Sequence, residues 1–130
     1  MRVPKRDPEC GGVDSLTAPH DVPSAEELVR AVREFLERDV MDATDGRVRF
    51  HTRVAANVLG MVERELVMGP SQNDVHASAL SQLGVADEAE LAAAIRDGSL
   101  DHRRAEVLEV VRATVRAKLA VAHPGYTDNQ

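Results

Sequence analysis

Aromatic side chains are nearly missing from this chain. Of 130 residues only Phe35, Phe50 and Tyr126 carry a six-membered ring, and there is no Trp. A pocket that stacks a nucleotide base on a ring is hard to build from so few, and a core of Leu, Val and Ala reads as packed helices. Cysteine is almost missing too. Cys10 stands alone in a stretch rich in Pro and Gly, so no internal disulfide forms. Lysine is scarce: among 16 basic residues only Lys5 and Lys118 are lysines, the rest Arg, which is the bias of a GC-rich coding sequence. No apolar run reaches the roughly 18 residues of a membrane span. Arg2, Lys5 and Arg6 lead into no apolar stretch, so a secretory signal is not expected and a cytoplasmic protein is. The net charge of −6 repels nucleic acid unless a local basic patch overrides it.

Reactive motifs are missing as well. There is no G-x-x-x-x-G-K-[ST] loop, no G-x-G-x-x-G, no H-E-x-x-H, no C-x-x-C and no G-x-S-x-G elbow. His20, His51, His76, His102 and His123 are scattered without metal-ligand spacing, and the E-x-x-H pairs of di-iron bundles are absent. The expectation is a chain with no catalytic residues, no metal and no cofactor of its own.

What is present is helical periodicity. Hydrophobic residues make up 43% and charged residues 29%, enough for one globular domain. Residues 1–23, with four Pro and two Gly, read as a flexible tail. Ser24 and Glu27 form a capping box for a first helix ending near Asp39, with Leu28, Val32, Phe35 and Leu36 as its apolar stripe. A second helix follows a turn at 42–46, capped by Thr44 or Asp45, and runs to about Met68, where Gly69-Pro70 is a stop signal. A third covers Ser71 to Leu83, ahead of Gly84. The pair Asp87 and Glu90 caps a fourth that stops at Gly98. A fifth, about Asp101 to Ala122, carries Leu108, Val111, Val115 and Leu119, and residues 127–130 are a short tail. No segment alternates. The expected fold is all-α, a single antiparallel bundle of four to five helices over 24–126 with no sheet.

The second helix is the informative one. At 100° per residue, Arg49, Arg53, Asn57 and Arg64 share a narrow stripe, with Ala56 and Gly60 beside it and Arg47 widening the basic cluster at the helix start. Phe50, Val54, Val58, Met61 and Val62 occupy the opposite arc, the expected core seam. Small residues let another backbone approach closely, and Arg suits bidentate contacts. Only Asp45 lies within reach to neutralise Arg49 or Arg53. Two readings stay open: contact with a partner or anionic ligand, or a solvated face.

Three polar residues interrupt apolar arcs. His51 reads as a neutral core histidine in preference to a buried general base. Glu65 on the second helix and Lys118 on the fifth each fall inside an apolar arc. Burying a lone charge is costly, so a Glu65–Lys118 pair across the two helices is expected. The alternative places Lys118 at a rim, facing a ligand or partner.

The segment DGRVRFHTRVAANVLGMVEREL resembles the signature of a bacterial family of small all-helical proteins known as a domain of unknown function. HDVPSAEELVRAVREFLERDV resembles that family's first helix and ATVRAKLAVAHPGY its last, so the resemblance spans about 20–126. Members are typically encoded beside an aminoglycoside-phosphotransferase-like kinase and an acyl-CoA dehydrogenase-like protein. The resemblance therefore implies a non-catalytic accessory subunit. Its kinase partner would phosphorylate the hydroxyl of a hydroxyacyl-CoA, as in levulinate-type catabolism. The resemblance supplies no catalytic residue to carry over. Two other readings compete: a stand-alone module binding acyl-CoA or another small ligand, and a nucleic-acid-binding regulator, which the acidic balance disfavours. A homodimer through the Arg face is also open.

Overall fold

The computed structural model describes residues 19–20 and 22–129. The expected tail at 1–23, with Cys10, lies mostly outside them. Helix α1 (Ala25–Phe35) begins where the capping box predicts, with Ser24 Oγ accepting from the Glu27 N–H and Glu27 Oε2 accepting from the Ser24 N–H. A π-helical turn, Leu36–Val40, carries the chain on into α2 (Met41–Ala43), past the end expected near Asp39. Thr44 is extended and ends the run. Asp45 is the N-cap of α3, although its side chain makes no capping hydrogen bond.

Helix α3 (Gly46–Leu83) corrects the expected break at Gly69-Pro70: it is one rod of 38 residues with Pro70 inside. Proline removes one backbone donor, but contacts on both sides of it hold the rod together. Arg64 Nε donates to the Val121 carbonyl at 2.7 Å and Gln72 Nε2 to the Ala117 carbonyl at 3.2 Å. Gly84, at φ 79°, closes α3 by donating to the Leu80 and Ser81 carbonyls. Helix α4 (Glu88–Asp97) starts at the predicted Asp87 cap, which accepts from the Glu90 N–H at 2.8 Å, and α5 (Arg104–Ala122) returns along α3. The protein is all-α, and no strand occurs among the described residues. None of its helices there is long and apolar enough to cross a membrane.

The helices do not surround one central core. The N-terminal half of α3 carries α1, while the C-terminal half carries α4 and α5. Leu80, Leu83, Leu91 and Val107 form the buried cluster, with Val85, Leu100 and Val110 packed on it. Around the α1–α3 pairing the only buried apolar side chain is Ala56.

Face assignment is the main correction. On α3 the buried residues of the N-terminal half are Thr52, Ala56 and Gly60, one per turn. Phe50, Val54, Val58, Met61 and Val62, expected to face the core, are 39–61% exposed. The helix turns its small-residue row to α1, because small side chains let the axes approach while bulkier Val and Phe do not. α1 shows a similar shift: of the expected stripe Leu28, Val32 and Phe35 are exposed and only Leu36, just past its end, is half-buried, as are Val29 and Arg33. On α5 Val107 is buried and Val110, Thr114 and Val121 half-buried, one step from the expected Leu108, Val111 and Val115, which are exposed; Leu119 of the expected stripe is half-buried.

Candidate functional site

The α1–α3 seam is built from charge as much as from packing. Glu63 lies one turn from Gly60, and its two carboxylate oxygens accept separately: Oε1 from Arg30 Nε at 2.7 Å and Oε2 from Arg33 Nε at 2.8 Å. Arg30 also pairs with Glu26, and Arg33 with Glu37 at 2.9 Å. Hydrogen bonds from Arg33 first and Arg30 second hold the Glu63 carboxyl below its ordinary range. This hub is legible only in retrospect. Glu63 sits on the small-residue side of the wheel, which was read as the outer face.

A depressed carboxyl stabilises the fold while ionised. That contribution is complete above the ordinary glutamate value of about 4.3 and is lost as pH falls through the depressed value. Glu63→Gln is therefore expected to melt lower than wild type at neutral pH. The gap between the two should close on acidification from pH about 5 toward 2. Thermal melts followed by circular dichroism across that range check it, and a gap that is constant or widens in acid contradicts it.

Where α1, α3 and the C-terminal end of α5 meet lies an open groove of about 630 Å³. Arg33, Asn57, Met61, Glu63 and Arg64 line it, and the Ala122–Gly125 corner closes one end. Its charges are mostly occupied, Arg33 by Glu63 and Glu37 and Arg64 by the Val121 carbonyl. Among the described residues no group of His, Cys, Asp and Glu is placed to hold a metal ion.

The expected basic stripe divides. Arg64 is spent inside the fold, and Asn57 borders the groove. Arg47 donates from Nε to His51 Nε2 at 3.4 Å. Arg49 and Arg53 are exposed and make no ion pair or side-chain hydrogen bond among the described residues. They remain a free cationic edge beside the groove.

The three arc-breaking residues fall elsewhere than expected. His51 is exposed, in edge contact with Phe50 at a 5.4 Å ring separation, and is not a core histidine. Glu65 and Lys118 do not pair. Glu65 is exposed, and Lys118 Nζ instead reaches Glu88 Oε1 at 3.2 Å, beside His76, whose Nε2 lies 3.2 Å from the same oxygen. With that arc facing solvent, neither charge needs a buried partner.

A family model described as a domain of unknown function (DUF6285) matches residues 42–126, more than half of the chain. The match begins at Asp42, so α1 lies outside it, although the sequence resemblance had taken in that helix. No curated protein and no solved structure matches.

Proposed function

Because the chain belongs to the DUF6285 family, we propose that it works as a non-catalytic accessory subunit of an aminoglycoside-phosphotransferase-like kinase acting on hydroxyacyl-CoA. The kinase and its substrate class come from the likeness of the α3 segment to a family encoded beside such enzymes. The observation that carries the accessory role is the cationic edge: Arg49 and Arg53 stand on a rigid helix, exposed and without an internal carboxylate. Guanidinium groups held ready in this way suit carboxylates of a partner or the phosphates of CoA. The kinase would supply metal, base and nucleotide site. This chain would order a kinase loop or complete the acyl-CoA pocket at the Arg49–Arg53 edge.

Co-expression with the adjacent kinase tests the reading. A stable complex with raised kinase activity is expected. The surface variant Arg49→Glu/Arg53→Glu should weaken that complex by about 10-fold or more, chiefly at low salt, with its helicity unchanged. A kinase that is fully active alone and never captures this chain removes the reading. The competing reading, a stand-alone acyl-CoA module, calls for a deep apolar cavity, and the groove beside α1 is open and lined by charge. A thermal-shift series with CoA esters separates the two, since a ligand bound to the native state raises Tm.

A further inference from the structure

The outward face of the N-terminal half of α3 carries a pattern that Arg49 and Arg53 do not share. Arg47, His51, Val54, Val58, Met61 and Glu65 follow one another at alternating gaps of four and three residues, and every one is exposed. That spacing is the seam of a helix built to pack lengthwise on another helix. Nothing in the chain's described residues covers it, because α1 occupies the Thr52–Ala56–Gly60 side and α4 and α5 serve the other half of α3.

The row is also symmetric about its own centre. Reversed end to end, Val54 exchanges with Val58, His51 with Met61, Phe50 with Val62, and Arg47 with Glu65. Apolar residues fall on apolar ones, His51 falls on Met61, and at the ends a cation falls on an anion. Neither Arg47 nor Glu65 has an ion pair among the described residues.

We infer that a second copy of this chain covers this face, its α3 antiparallel to the first about a twofold axis. Val54 then meets the partner's Val58, and Arg47 meets the partner's Glu65 at both ends of the seam. A parallel arrangement in register would set Arg47 on the partner's Arg47, so charge selects the antiparallel one. The interface is isologous, as closed dimers require, and each α1 lies on the far side of its own α3, clear of the seam. The face is continuous: Phe50, Val54, Val58, Met61 and Val62 are each 39–61% exposed, and Val48 and Leu66 beside them are exposed as well. The stems of Arg47 and Glu65 extend the apolar surface at its ends. The dimer does not rest on the kinase reading. It uses Arg47 and Glu65, whereas kinase capture uses Arg49 and Arg53, so either can fail alone.

Sedimentation and light scattering on the full chain should give twice the 14.1 kDa of one copy. Glu65→Arg or Arg47→Glu alone should weaken self-association by about 10-fold or more, and the combined swap Arg47→Glu/Glu65→Arg should restore it. Val54→Glu should give a monomer. The charge swaps lie on the surface, so they keep the test readable if Val54→Glu perturbs folding. A wild-type monomer at all concentrations overturns the inference. So does a dimer indifferent to the single swaps, or one that the combined swap fails to restore.

Discussion

Leu83→Ala is expected to lower the free energy of unfolding by about 2–5 kcal/mol, the range for removing a buried leucine side chain. The size follows from how little else is buried. Leu83 is 4% exposed, and the only other buried residues in its cluster, among those described, are Leu80, Leu91 and Val107. It is also the last residue of α3, whose end is fixed by the left-handed Gly84 donating to the Leu80 and Ser81 carbonyls. Against a total stability of about 5–15 kcal/mol, such a loss is a large fraction of the whole. Urea denaturation followed by circular dichroism measures it. A change below about 1 kcal/mol would mean that this cluster is not the folding core.

Pro70→Ala should move stability the other way. Proline within a helix costs about 3 kcal/mol relative to alanine through its missing donor and its clash with the preceding turn. Its restriction of the unfolded chain returns about 0.4–1 kcal/mol, so the substitution should stabilise by about 2 kcal/mol. The contacts that hold α3 together, Arg64 to the Val121 carbonyl and Gln72 to the Ala117 carbonyl, are made by residues on either side of Pro70 and remain available. A higher Tm by differential scanning calorimetry is the expected outcome. A lower one would show that the docking of α5 depends on the proline.

Local signals in the sequence were reliable. The Ser24–Glu27 box, the Asp87 cap and the stops at Gly84 and Gly98 all stand where the residues put them, because each depends on atoms within a few positions. Gly69-Pro70 was the exception. A stop signal is a local cost, and tertiary contacts on both sides outweigh it. Which side of a helix meets its own chain was not legible. Hydrophobic periodicity marks the side that avoids water, but α1 was drawn to the side where Ala56 and Gly60 allow close approach and Glu63 meets two arginines. The clue was present in the small residues. They promised a close neighbour, and the first such neighbour is the chain's own first helix. His51, Glu65 and Lys118 then follow the same inversion, since each was expected to be buried only because its arc was.

The seam through Thr52, Ala56 and Gly60 joins two helices with Ala56 as its one buried apolar side chain and with Val29 and Leu36 only half-buried. Heat capacity of unfolding scales with the apolar surface exposed, so opening this half of the molecule carries a smaller increment than opening the half that holds the buried leucines. Its stability curve should be the shallower of the two, while dissolved ions weaken the arginine–carboxylate links that hold it. Calorimetric curvature therefore belongs to the lobe of Leu80, Leu83, Leu91 and Val107, and ionic strength is the variable that acts on the other.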